Sequence, residues 1–186
     1  MPSYLSEHCL NADFAAKVKE AVDVAVSVCG NIVTMEEAEQ VLAEGKADIV
    51  GMARSLMAEP DLIKHAAAGH PEASRPCLRC MECSAYSGTG RPIRCSVNPR
   101  LGRELEYKAV TKAVYPKKVV IIGGGPAGMT AAQVCAERGH QVVLFEKKDH
   151  LGGLWVDASG IPSKEIARNY LKWMIAKTNS MNIDIR

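Results

Sequence analysis

Four cysteines crowd into 19 positions of a 186-residue chain, spaced as Cys77-x2-Cys80-x2-Cys83-x11-Cys95. They lie where regular periodicity disappears. From His70 to about Tyr115, cysteines, prolines and glycines dominate, among them Ser87-Gly-Thr-Gly90 and Asn98-Pro99. So irregular a stretch does not fold around apolar contacts alone, and a bound metal centre supplies the missing constraint. Three thiolates on closely spaced loop positions can wrap one corner of an iron–sulfur cubane, with the distant fourth closing it. The main rival is a four-cysteine zinc site. Zinc ribbons and fingers usually bring two separate C-x2-C knuckles, whereas this chain has one tight triplet and one outlier. Unligated cysteines are the remaining alternative. Cys9, Cys29 and Cys135 stand apart and read as small buried apolar residues.

Composition narrows the class. The net charge is +2, with lysines and arginines scattered among acids. No basic face with interleaved aromatics exists, so nucleic acid is excluded as a partner. The segment Met1-Pro-Ser-Tyr-Leu-Ser-Glu-His8 has neither a basic n-region nor an apolar h-region. No apolar run approaches the ~20 residues of a membrane span. The expectation is a cytoplasmic protein that does not meet a membrane, where seven cysteines argue for metal rather than a disulfide framework.

The flanks of the cysteine segment are regular. Up to about Gly69 the pattern predicts a helix over Ala12 to Val22, with Phe14, Val18, Ala21 and Val22 on one face. A strand over Val24 to Val28 follows. Thr34 and Glu37 form a capping box for a helix ending at Gly45. A second strand covers Ala47 to Val50, and a further helix runs from Pro60 to Gly69. Helix and strand alternating in this way predict a parallel α/β fold or barrel. Gly30-Asn31 and Gly51-Met-Ala-Arg54 close the two strands. Loops at the C-terminal ends of parallel strands are where barrels bind phosphate, and an arginine there can clamp it. The competing reading is two short glycine loops that bind nothing.

Beyond Pro116, Lys117 to Ile122 reads as an apolar strand running into Gly123-x-Gly125-x-x-Gly128. A helix follows to about Arg138, and the next strand, Gln141 to Glu146, ends on an acid. Glu146 lies 18 residues past Gly128, near the spacing of a ribose-binding carboxylate. Gly123 permits the tight turn, Gly125 a close approach to pyrophosphate, and Gly128 close helix–strand packing. Lys147 and Lys148 fit either a 2′-phosphate or a solvated surface, so FAD and NAD(P) both remain open on this pattern. Lys164 to about Lys177 is a further helix.

The order of these motifs resembles the flavin-dependent reductases that join an old-yellow-enzyme-like barrel to an iron–sulfur segment and a dinucleotide-binding region. That family includes 2,4-dienoyl-CoA reductase, enoate reductases and trimethylamine dehydrogenase. The resemblance runs from about Ala12 to Arg186. It is carried by Gly45-Lys-Ala-Asp48 with Gly51-Met-Ala-Arg54, Arg75-Pro-Cys77 with the four cysteines, Val97-Asn-Pro99 with Gly102 and Glu104, the glycine motif, Glu146, and Leu151-Gly-Gly153. It implies an α/β protein with three parts: the last two βα units of a TIM barrel at 1–70, an iron–sulfur segment and linker at 71–115, and the start of a Rossmann-like FAD domain at 116–186.

It also implies roles. Gly30, Gly51 and Arg54 would hold the FMN phosphate. Cys77, Cys80, Cys83 and Cys95 would bind a [4Fe–4S] cluster. Gly123, Gly125, Gly128, Glu146, Gly152 and Gly153 would bind FAD. NAD(P)H would be the electron donor, and the small-molecule substrate would carry an activated C=C bond. Asn31 departs from the glycine or arginine expected beside Gly30. The larger departure is extent, because a full barrel takes about 250 residues. The expectation is an internal fragment without catalytic residues of its own, its open strands covered by a partner chain or a second copy. The alternative is a non-catalytic electron-transfer or nucleotide-binding module that docks to a separate barrel subunit.

Overall fold

The structure, a computed structural model, describes residues 2–86, 88–107 and 110–186. Met1, Ser87 of the expected 87–90 turn, and Lys108 and Ala109 of the expected linker lie outside the described residues. The chain forms two compact units, Met1–Gly102 and Arg103–Arg186.

In the first unit, α1 (Ala12–Ala21), β1 (Ser27–Cys29), α2 (Met35–Ala43), β2 (Ile49–Gly51), α3 (Ala53–Ala58) and α4 (Leu62–Ala67) follow in order. Strands β1 and β2 pair in parallel, Ser27 opposite Ile49 and Cys29 opposite Gly51. Helix α2 starts on a complete capping box. Thr34 Oγ1 accepts the Glu37 N–H at 3.2 Å, and Glu37 Oε2 accepts the Val33 and Thr34 N–H groups. The turn between α2 and β2 is tied down by Asp48, whose Oδ2 accepts the Val26 N–H at 2.9 Å. Val26, Val28, Ile32, Ala38, Val41, Ala47, Met52 and Leu62 form the core with Ala12 and Ala15.

One expectation fails here, that of a buried Cys29, because side chains follow the face their element presents. Helix α1 turns its small residues Ala12 and Ala15 inward, leaving Phe14 at 68% exposure and Val18 and Val22 outside. Cys29 is exposed rather than buried. Side chains alternate along a strand, so burying Val28 turns Ser27 and Cys29 outward. Cys9 and Cys135 are half-buried. Beyond α4 the chain is irregular, as expected, apart from a 3₁₀ turn at Pro71–Ala73 and the short helix α5 (Glu82–Tyr86).

The second unit contains β3 (Lys118–Ile122), α6 (Pro126–Glu137), β4 (Gln141–Phe145), α7 (Leu154–Ser159), α8 (Glu165–Asn179) and β5 (Ile183–Ile185). Its three strands are parallel in the order β3-β4-β5. Helix α6 packs on β3 and β4, and α8 packs on α6. Val142, Val143, Leu144, Met129, Ala132, Leu171 and Met174 are buried. The helix pair also buries Gln133, whose Nε2 donates to Thr178 Oγ1 at 2.9 Å and to the Met174 carbonyl at 3.4 Å. Across the sheet, Val120, Ile122 and Phe145 are exposed. Helix α7 is an element that periodicity does not announce, because it is a single short turn-rich segment behind two glycines. Among the described residues, no helix is long and apolar enough to cross a membrane.

Losing the Thr34 hydroxyl removes the acceptor of the Glu37 N–H, a first-turn group with no intrahelical partner. Thr34→Ala is expected to cost about 1 kcal/mol and lower the first unit's melting temperature by about 4–8 °C, with Thr34→Ser near wild type in the same thermal melt.

Candidate functional site

Cys77, Cys80, Cys83 and Cys95 all line one cavity, together with Arg54, Arg79 and Met81. The cavity spans about 310 Å³ including its open side. The loop that carries the cysteines is irregular, and hydrogen bonds to the end of α3 hold it in place. Arg75 donates from Nη1 to the Ala58 carbonyl at 3.2 Å, and the Arg75 N–H reaches Glu59 Oε2 at 3.4 Å. Asn98, buried to 5% exposure, donates from Nδ2 to the Met57 carbonyl at 2.8 Å and accepts the Arg100 N–H at 3.1 Å. The loop is thus fixed just before its first cysteine and just after its last.

Two non-glycine residues between the cysteines, Arg79 (φ +50°) and Met81 (φ +67°), adopt the left-handed backbone region. Such conformations cost of order 1–3 kcal/mol and persist only where surrounding contacts over-determine them. Here the turn directs the Arg79 N–H onto Cys77 Sγ at 3.4 Å. Burial pushes the Cys77 thiol up, while that N–H and the nearby Arg54 charge act the other way. Cys80 Sγ lies 3.2 Å from Ser96 Oγ. Among the described residues, no three His, Cys, Asp or Glu side chains are close enough to share a single metal ion.

Beside this cavity, Arg54 extends from the first turn of α3. Its Nη1 donates to the Pro2 carbonyl at 2.6 Å and contacts Met81 Sδ at 3.1 Å, and its Nη2 reaches Asn31 Oδ1 at 3.4 Å. Asn31 follows Gly30 at the end of β1 with φ +58°, a conformation in which asparagine is the best tolerated residue after glycine. Its Nδ2 donates to the Ser6 and Glu7 carbonyls at 3.0 and 2.7 Å. The departure from the expected residue is therefore a built contact rather than a gap. Gly30 has φ +143°, and a Cβ there would meet Asn11 Nδ2 at 2.6 Å. Gly51 sits opposite Cys29, at the same strand ends.

In the second unit the glycine turn connects β3 to α6. Gly123 has φ +101°, and a Cβ on Gly128 would lie 1.9 Å from the Gly123 carbonyl oxygen. Gly125 caps the helix with Pro126 in its first turn, at φ −74°. Gly124, which the motif leaves unspecified, is equally constrained, since a Cβ there would meet Leu151 at 2.5 Å. A second glycine turn lies against the first. Gly152 N–H donates to the Gly124 carbonyl at 2.8 Å, and a Cβ on Gly153 would fall 3.1 Å from Gly125 Cα. Glu146 closes β4 and accepts the Lys148 N–H at 3.0 Å and the Gly124 N–H at 2.6 Å. These backbone donors, Lys148 first and then Gly124, hold its carboxyl below the usual carboxylate range. The helix N-terminus, the glycines and an ionised acid are thus brought to one end of the sheet.

Residues 4–73 match the NADH:flavin oxidoreductase / NADH oxidase family, and residues 118–179 match the FAD dependent oxidoreductase family. The chain is 40% identical to an NADH oxidase of Thermoanaerobacter brockii, over 92% of its own length and 27% of the relative's. A cinnamate reductase of Clostridium sporogenes is 36% identical over 91% of this chain and 25% of that protein. This chain is a homologue of the NADH:flavin oxidoreductases. Among solved structures, 2-naphthoyl-CoA reductase superposes with a TM-score of 0.91 at 29% identity, over 99% of this chain and 28% of that one. Histamine dehydrogenase from Rhizobium shares the fold, with a TM-score of 0.91 at 23% identity. The chain spans about a quarter of the length of the curated relatives it matches. Flavin is the cofactor class that the two family matches carry. Arg79 carries no signal in the sequence beyond its position between cysteines, and Asn98 stands out only as part of Val97-Asn-Pro99, because their roles come from loop geometry.

Gly128→Ala is expected to destabilise the second unit by about 1–3 kcal/mol, the cost of forcing a methyl into a filled space. Gly125→Ala, whose nearest neighbour is 4.0 Å away and whose φ is ordinary, should melt within about 0.5 kcal/mol of wild type. Differential thermal unfolding of the two variants checks the pair.

Proposed function

We propose that this chain is the electron-relay portion of an NAD(P)H-dependent flavin/iron–sulfur oxidoreductase that reduces an activated C=C bond of enoate or enoyl-CoA type. On this reading 1–70 is the end of a flavin-binding barrel, 71–115 the cluster segment and linker, and 116–186 the beginning of a Rossmann-like FAD domain. The carrying observation is that four thiols from one loop line a single cavity. One tight triplet with a single outlier is the ligand pattern of an iron–sulfur cubane, whereas zinc sites usually pair two C-x2-C knuckles. The donor set therefore fits a [4Fe–4S] cluster better than zinc.

When bound, FAD would exchange two electrons with nicotinamide, the cluster would pass them singly, and FMN would deliver hydride to substrate. The chain's own residues bind and orient. Gly125 lets the backbone approach a pyrophosphate, the N-terminus of α6 faces it, and Glu146 is held ionised for a ribose. Arg54 offers a guanidinium to a phosphate between Gly30 and Gly51, oriented by Asn31. Cys77, partly shielded, must lose its proton for the centre to load. The names of the relatives, an NADH oxidase and a cinnamate reductase among them, support the reaction class.

Purified without oxygen, the chain is expected to be brown and to carry roughly four irons and four sulfides. Cys83→Ala should lose most of both. A colourless protein with one zinc would replace this reading with a zinc scaffold. Gly125→Ala is expected to weaken FAD binding at least tenfold by isothermal titration while keeping the iron content.

A further inference from the structure

Arg79 stands between two cysteines of the tight triplet and is buried to 7% exposure. It lines the cavity that the four thiols share, as does Arg54. Its Nη1 donates to the Ser6 carbonyl at 3.3 Å, which anchors the guanidinium on the N-terminal segment rather than in solvent. Its backbone, held at φ +50°, aims its own N–H at Cys77 Sγ. One residue therefore gives a ligand sulfur a hydrogen bond from its backbone, and its buried guanidinium belongs to the wall of the same cavity, behind the Arg54 charge that acts on Cys77 directly.

Both act in the same direction on a redox centre. Reduction adds one electron and one negative charge, with no bond made or broken. A cation in a poorly screened surrounding stabilises the more negative state more, and hydrogen bonds to the sulfurs do the same. We propose that Arg79 sets the reduction potential of the four-cysteine centre, holding it more positive than the four thiolates alone would place it. The inference rests on the cluster reading given above. It makes Arg79 a positioning and tuning residue rather than a catalytic one. Arg54 adds a second charge at the same cavity, but its bond to Asn31 commits it also to the strand-end loops.

The test is a mediated redox titration of the full chain, loaded anaerobically with iron and sulfide and read by the electron paramagnetic resonance of the reduced centre. Dithionite serves as the one-electron donor. At the wild-type midpoint, Arg79→Gln is expected to shift the oxidised-to-reduced ratio at least tenfold toward oxidised, equivalent to about 59 mV. Arg79→Lys, which keeps the charge, should recover at least half of that shift. Equal midpoints for wild type and Arg79→Gln would overturn the proposal. So would a lysine variant that shifts as far as glutamine, because packing rather than charge would then be responsible. Should both variants retain the wild-type circular dichroism yet fail to take up iron, Arg79 is an assembly residue and the proposal falls. A wild-type chain that takes up no iron and sulfide defeats the cluster reading itself, which elemental analysis separates from the other outcomes.

Discussion

A loop without regular structure holds its shape only if its polar groups find partners and its ends are pinned. Here both conditions are met by the last turn of α3, whose carbonyls at Met57 and Ala58 accept bonds from Asn98 and Arg75. Each bond is worth about 1 kcal/mol net, modest singly, but each fixes one end of the loop that carries the thiols. Helix α3 in turn begins directly after β2, so the register of the two-stranded parallel sheet sets where the cysteines stand. The charge on Arg54 belongs to the same helix. Strand end, arginine and cysteine cavity are thereby positioned as one piece.

The second unit solves a different problem. Its backbone makes the site, and side chains are largely kept away from it. Leu151, the Gly123 carbonyl and the Gly125 Cα each occupy space that a methyl on a neighbouring glycine would need. Glu146 is the exception, and it too is oriented by backbone N–H groups rather than by a cation.

Much of this was legible in the residues. The capping box at Thr34 and Glu37 pairs as its spacing demands, and the strand, turn and helix around Gly123 follow the expected order. The periodic parts were readable because local preference and tertiary packing agree there. Periodicity alone does not say which face of a helix is buried. Helix α1 has two candidate stripes, and packing against β1 selected the smaller side chains. Cys29 faces outward because strand alternation outweighs a cysteine's usual burial. Helix α7 and the left-handed turns at Arg79 and Met81 have no sequence signature, since neither residue type favours that backbone. Asn31 was the instructive case, an unexpected side chain whose backbone angle and three contacts account for it together.

The two glycine turns of the second unit meet with almost no space between them. Gly152 is bonded to the Gly124 carbonyl, and Gly153 rests against Gly125. Positions about 28 residues apart in the chain are therefore not free to drift separately. A side chain acquired at Gly153 would press on Gly125 Cα at 3.1 Å, so the second turn has less freedom than the first. The two turns thus form one mechanical corner, in which a change at Gly152 or Gly153 is felt where the first turn meets its helix.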